Sequence, residues 1–359
     1  MKINNIKKSY VTLTAVGDIM LGNFHPGIGV RSILQKNNFS LFKHIKNILK
    51  SDLTFGNIET VLSNLNQKST YKNLMLRGLP TFTKRLKKAG FNIVNVANNH
   101  LQEYGEEAAL DSINNLKKEG FKIIGIDKLQ PQIITVKNIK FAFLGYSLHP
   151  EQSICNKIIY SQGNTEKIKT DIIRIKKQVD YLIISLHWGY EYIETPSEKQ
   201  ILFAHQIIDS GADIILGHHP HVLQNIERYK NGIIAYSLGN FISDMHPTKT
   251  KKSIILKIKF SKNQTKNVDI VPIQSNKNYQ PKPLKEKKAK KIIEKINKKP
   301  IILSKYEYKK QIKKIRKKLK IEWLLFLIKN CYKLPSKYLL EYTFSFINRK
   351  IIKKPKCSK

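Results

Sequence analysis

The segment Ala212–Gln224, "ADIILGHHPHVLQ", decides how the rest of the chain is read. Its first half is a short apolar run, the mark of a strand buried on both faces. Its second half puts His218, His219 and His221 within four residues, in a chain that holds only 10 histidines. Imidazole is the commonest metal-ligating side chain, and a strand end can hold such ligands rigidly. His219 and His221 are two apart, so on an extended segment both point to one side, with Pro220 stiffening the turn between them. One wall of a metal site is the reading that follows. It requires further ligands elsewhere in the chain.

Working outward, the same strand signal recurs. It is found in "VTLTAVGD" (11–18), "LTFGNIE" (53–59), "FNIVNVAN" (91–98), "FKIIGI" (121–126), "FAFLGYS" (141–147), "YLIISLHW" (181–188) and "GIIAYSLGNF" (232–241). Amphipathic stretches at 82–90, 106–119, 165–178 and 197–210 lie between these runs. Strands alternating with helices predict a layered α/β domain. "SIILKIKF" (253–260) and "NVDIVPIQ" (267–274) read as a closing hairpin, and the composition changes after "NYQPKPLKEKK". A boundary near 280 divides the chain into a domain of residues 1–280 and a basic helical tail of residues 281–359.

Polar residues gather at the C-terminal ends of five of these strands: Asp18, Glu59, Asn98–Asn99–His100, His187, and His219 with His221. Strand carboxyl ends are where α/β folds build sites, because the sheet fixes the geometry while the loops vary. Caps and turns do not need so many Asp, Glu, Asn and His. A donor set without cysteine suits Zn, Mn, Fe or Mg, with mixed nitrogen and oxygen ligands. It is too large for one four-coordinate zinc, whereas two divalent ions about 4 Å apart would use all of it. One imidazole is normally held off the ions to protonate a leaving group.

Composition narrows the classes. Three scattered cysteines, Cys155, Cys331 and Cys357, argue against a disulfide framework or a thiolate zinc site. The first ten residues are polar and lack the apolar run of a signal peptide or membrane anchor, which predicts a cytoplasmic start. The net charge is +39, and residues 281–359 hold 27 Lys and Arg against 5 Glu. Such an excess attracts an anionic polymer, a phosphorylated substrate or an anionic membrane surface. Part of it follows from the Lys, Ile and Asn preference of an AT-rich genome.

The motifs "VGDIMLG", "FGNIET", "RGLP", "ANNHLQEYG", "SLHWGYEY", "GADIILGHHPHVLQ" and "IAYSLGNF" resemble, in order from about residue 11 to 275, the CapA family of capsule (poly-γ-glutamate) synthesis proteins. That family is related to calcineurin-like metallophosphoesterases. The resemblance implies a four-layer α/β/β/α sandwich, a dinuclear centre and a place in a capsule synthesis assembly. Carried over residue by residue, Asp18, Glu59, Asn99, His187, His219 and His221 are the metal ligands, and His100 is the off-metal acid. His218 is left without a role. Asn57, Arg77, Glu191 and Asn240 stand as groups that bind substrate or support the ligands. Two positions depart from the family pattern: Glu103 stands where Asp is common, and Asn23 where Arg is common. The reading is a hydrolase of a phosphoester or amide bond. The competing reading is a non-catalytic, metal-stabilised scaffold.

In the tail, "KYEYKKQIKKIRKKLK" (305–320) predicts a basic helix running into the apolar "IEWLLFLI" (321–328), with a second apolar run at 338–347. These runs are too short to span a bilayer. They suit either an interfacial helix on anionic lipid or a hairpin packed on the domain. No recognised nucleic-acid module accompanies the charge.

Overall fold

The computed structural model describes residues 10–36, 39–65, 76–149, 157–262, 264–336 and 339–340. The chain opens with β1 (Val11–Ile19), α1 (Val30–Leu34), α2 (Lys46–Leu49), β2 (Leu53–Ile58), α3 (Phe82–Lys88), β3 (Ile93–Asn95), α4 (Glu106–Lys118) and β4 (Lys122–Ile124). Next come β5 (Gln132–Val136), β6 (Ile139–Ser147), α5 (Thr165–Lys176), β7 (Tyr181–His187), α6 (Glu198–Asp209), β8 (Ile214–His218), β9 (Ile226–Tyr229) and β10 (Gly232–Ala235). It closes with β11 (Asn240–Ile242), β12 (Lys252–Ser261), β13 (Gln264–Ser275), β14 (Pro281–Pro283), α7 (Glu286–Ile296) and α8 (Lys305–Asn330).

The strands form two sheets. The larger runs β14-β13-β12-β1-β2-β3-β4, with β11 also pairing to β1, and the smaller runs β5-β6-β7-β8-β10-β9. Side chains alternate across each strand, which makes the layering direct. From β1, Val11, Leu13 and Ala15 join Phe141 and Phe143 of β6, Ile183 of β7 and Leu216 of β8 in a core between the sheets. The opposite face of the large sheet packs Val16, Val94 and Ile123 against Leu34, Leu49, Leu86 and Leu116 of α1–α4. The opposite face of the small sheet packs Leu144, Leu182, Ile184 and Ile215 against α5 and α6 through Ile168, Ile172, Ala204 and Ile207. The result is the four-layer α/β/β/α sandwich.

One expected strand divides. "GIIAYSLGNF" makes β10, which pairs with β8 in the small sheet, and β11, which pairs with β1 in the large one. The chain crosses between sheets at Tyr236–Gly239, with Gly239 in the left-handed region (φ 70°) that glycine adopts without strain. The crossing ties the C-terminal ends of the two sheets together.

The boundary expected near residue 280 falls between β13 and β14, which pair with each other (Ile273 beside Pro283, Ser275 beside Pro281). After β14, α7 buries Ile296 in the core between the sheets. Helix α8 is one run of 26 residues, started by a capping box in which Ser304 and Glu307 bond reciprocally. Most of the second apolar run, 338–347, lies outside the described residues, as do Cys155 and Cys357. Among the described residues no helix is long and apolar enough to cross a membrane.

Candidate metal centre

The site forms where the ends of β1, β2, β7 and β8 meet. Glycine makes the approach close enough. A Cβ on Gly17 would collide with the Gly239 carbonyl, and one on Gly217 with the Tyr236 carbonyl. Each glycine immediately precedes a site residue, Asp18 and His218. The Asp18 N–H donates to Gly239 O (2.9 Å), fixing the carboxylate beside the crossing. The α3–α4 side contributes Asn98, Asn99 and His100 on a turn after β3. Asn98 locks this turn, with its Nδ2 donating to Ile58 O (2.8 Å) and its Oδ1 accepting from the His100 N–H (3.0 Å).

Two buried donor clusters result, and Glu59 belongs to both: Asp18, Glu59 and His221 in one, Glu59, His187 and His219 in the other. A third group joins Glu191 to His219 and His221. Asn99 Oδ1 lies 2.8 Å from His187 Nε2, and His219 Nδ1 lies 3.1 Å from the same nitrogen. The telling atom is Glu59 Oε1. It sits 3.7 Å from His100 Nε2, 3.6 Å from His187 Nε2 and 3.7 Å from His221 Nε2. Those gaps are too long for hydrogen bonds, and among the described residues neither Glu59 oxygen has a hydrogen-bond partner. Ligands that share a cation at about 2.0–2.2 Å stand roughly 3–3.5 Å apart, close to what the cluster presents. The donor set fits a divalent ion.

Electrostatics points the same way. Burial pushes the Glu59 carboxyl up to about 8, against the pull of His221. Burial works the same way on Asp18, but His218 and His221 outweigh it and hold that carboxyl well below the usual range. Burial drives His187 and His219 far below the ordinary imidazole value, assisted by neighbouring histidines. His221 is raised to about 10 despite burial, because Glu59 and Asp18 face it. A cluster that must share protons to stay neutral is one that a cation can discharge, leaving Glu59 ionised and the imidazoles neutral.

A family model described as "Bacterial capsule synthesis protein PGA_cap" matches residues 12–245, a span that contains every residue of these clusters. The chain belongs to this family. It is 34% identical to the capsule biosynthesis protein CapA of Bacillus anthracis, over 76% of this chain and 69% of that one. It is 31% identical to the PGA biosynthesis protein CapA of Bacillus subtilis (strain 168), over 83% and 80%. Among solved structures, a hypothetical protein from Thermus thermophilus overlaps at TM-score 0.46 and 12% identity, covering 73% of this chain and 99% of that one. A 5'-nucleotidase from Candida albicans overlaps at TM-score 0.44 and 13% identity, covering 86% and 57%.

In this capsule-family chain the remaining expected residues divide. Asn57 Nδ2 donates to Asp18 Oδ1 (2.9 Å) and Asn240 Oδ1 lies 2.9 Å from His221 Nδ1, so both brace donors. Glu191 is exposed, yet its carboxylate reaches His219 and His221. Arg77 goes elsewhere: its guanidinium donates to the Leu65 carbonyl and lies over the Tyr104 ring, 5.2 Å from the centroid. The extended reading of His219–His221 gives way to a bend in which His219 (φ 92°) and His221 (φ 58°) both adopt left-handed backbone. Both rings still face the cluster, with their centroids 5.6 Å apart. At the position where Asp is common, Glu103 Oε2 lies 2.9 Å from His100 Nδ1.

Three residues escape the sequence reading. His218, left without a role by the resemblance, puts Nδ1 3.1 Å from Asp18 Oδ1. Asn95 Nδ2 donates to Asn57 Oδ1 (2.9 Å), extending the brace behind Asp18. His149 lies just past β6, its ring 3.7 Å from that of His219. The signal for it was the one used elsewhere, a histidine following a strand's carboxyl end in "FLGYSLHP".

Proposed function

We propose that this chain is a dinuclear metal-dependent hydrolase, acting on a phosphoester or amide bond in the biosynthesis of an anionic cell-surface polymer. Asp18, Glu59 and His221 would hold one divalent ion and Glu59, Asn99, His187 and His219 the other, with Mn, Zn, Fe and Mg all compatible with the donors. The observation that carries the reading is Glu59, a fully buried carboxylate without a hydrogen bond among the described residues, facing three imidazole nitrogens at 3.6–3.7 Å. When bound, the ions supply Lewis acidity and attract an anionic group.

The chain's own residues do the rest. Asn57 and Asn240 hold Asp18 and His221 in place, a support that tunes such centres strongly. His100 is the proton donor. Burial disfavours its charge, but the hydrogen bond from Nδ1 to Glu103 outweighs that and raises its pKa, so Nε2 keeps a proton to give.

The experiment pairs metal analysis of the purified chain with turnover of p-nitrophenyl phosphate and a γ-glutamyl anilide. Close to two ions per chain and metal-dependent turnover of one substrate class support the reading. Bound metal with no turnover on any substrate favours the scaffold, and no metal after reconstitution overturns the centre.

The tail favours attachment to an anionic membrane surface. Ile321, Leu325 and Ile328 lie on one side of α8, 54%, 59% and 64% exposed, directly after its lysine-rich half. Co-sedimentation with anionic but not neutral vesicles, weakening as salt rises, is the expected result. Equal binding to both would remove the surface role.

A further inference from the structure

Helix α8 turns a second face toward the domain. Tyr308, Ile315, Leu319, Trp323 and Phe326 recur at helical spacing and are among the less exposed positions of the helix. Tyr308 packs edge-on against Tyr190 (5.7 Å), Trp323 against His25 (4.7 Å) and Phe326 on His246 (3.3 Å). The helix therefore lies across the mouth of the site. Between them is a cavity of about 720 Å³, with His219, His149 and Glu191 on its floor and Arg316, Lys320 and Trp323 on its α8 side. That volume falls in the range of about 300–1,000 Å³ typical of ligand sites.

Arg316 and Lys320 are one turn apart, so both cations line the same side of the helix. Among the described residues neither is paired with a carboxylate, although Lys318 on the adjoining side pairs with Glu322 (3.6 Å). Two cations that face the His219 and His149 rings across one cavity make a site for an oxyanion beside the donor clusters.

We propose that Arg316 and Lys320 are specificity-determining residues. They hold a second oxyanion of the substrate in the α8 cavity while another part of the same molecule reaches the donor clusters, so the site takes an oligoanion rather than a small monoanion. This rests on the hydrolase reading for what happens at the clusters, but not for the binding itself. The shared chemistry is an oxyanion with several acceptor oxygens, supplied by carboxylates or by phosphates, and a planar guanidinium suits both.

The test uses the full chain and the emission of Trp323. The chain's other tryptophan, Trp188, is buried at 1% exposure and serves as a constant background. The probes are a linear tri-glutamate and inorganic tripolyphosphate, titrated at one salt concentration. The variants are Arg316→Gln with Lys320→Gln, and a control, Lys287→Gln with Lys291→Gln, which removes the same charge from α7. Metal content is measured in each. The expected result is saturable binding of at least one probe, weakened about tenfold or more by the α8 pair, unchanged by the control, and with metal content unaltered. The preferred probe identifies carboxylate or phosphate as the source. Wild-type protein that binds neither probe, an α8 pair that binds as wild type, or a control that loses as much would each overturn the proposal. Anion binding that follows Arg316 and Lys320 in a chain that takes up no metal would instead sink the hydrolase reading and leave this one standing.

Discussion

Replacing Glu59 with Gln should change stability in opposite directions with and without metal. In the metal-free fold the carboxyl ionises only near 8, against an ordinary 4.5. At pH 7 that mismatch disfavours the fold by at most about 3 kcal/mol, part of which the attraction between Glu59 and His221 offsets. The sign follows from the raised folded pKa: the group's favourable contribution is complete below about 4.5 and is lost as pH rises toward 8. Gln has the same shape and no charge to desolvate, and its amide can donate toward the imidazole nitrogens that face Oε1. Chelator-treated Glu59→Gln should therefore melt several degrees above chelator-treated wild type at pH 7, at roughly 2–4 °C per kcal/mol. The gap should close at pH 5.

With metal the order reverses. Saturation at 100 times the dissociation constant adds about 2.7 kcal/mol to a protein that binds only when folded. Glu59 is common to both donor clusters, so its loss should remove most of that increment. The assay is a set of thermal melts of both proteins from pH 5 to 8, with EDTA and with Mn or Zn. If Glu59→Gln melts below wild type in EDTA and keeps the full metal increment, Glu59 is an ordinary packed carboxylate and the centre is misread.

Other perturbations follow from the same geometry. Asn240→Ala removes the brace at His221 Nδ1 and should weaken metal binding about 10–100-fold by competitive chelation, with little change in fold. His100→Ala should keep its metal but lose roughly 10²–10⁴ in turnover of poor leaving groups, and a matching loss of metal would make it a ligand instead. Glu103→Gln removes the partner that raises the His100 pKa, so the alkaline limb of the pH–rate profile should move to lower pH. At the foot of α8, burial holds His25 down to about 4 and His246 lower still, with His25 and then Lys251 adding to the effect on His246. Depressed folded pKa values give stability that is present above about 6.5 and lost as pH falls toward 4, about 3 kcal/mol for His25. Acidification should therefore shift Trp323 emission to the red, and His246→Phe should reduce the effect.

The central strands were legible because they are buried on both faces, which leaves apolar runs such as "YLIISLH" that polar segments cannot imitate, whereas the half-exposed β5 and β9 and the short β14 were not read. The site was legible because those runs end in the donors: Asp18 and His187 can be found by walking to the end of a strand. His149 obeys the same rule but lacks company nearby in sequence, and Asn95 was read as part of the strand "FNIVNVAN"; only the pairing of β6 with β7 and of β2 with β3 gives them partners. The division of "GIIAYSLGNF" into β10 and β11 was hidden for another reason. Local propensity favours one strand, and what breaks it is competition between two sheets for its two ends. Helix α8 is the hardest case because it is apolar on two sides. Tyr308, Ile315, Leu319 and Phe326 repeat at helical spacing, and so do Ile321, Leu324, Leu325 and Ile328. Periodicity gives the existence of each face but not which one packs. His25 and His246 decide it, since they offer flat rings to Trp323 and Phe326 and leave the aliphatic side to solvent. That choice also sets the orientation of Arg316 and Lys320. With the Trp323 face packed, both line the cavity beside His219 and Glu191.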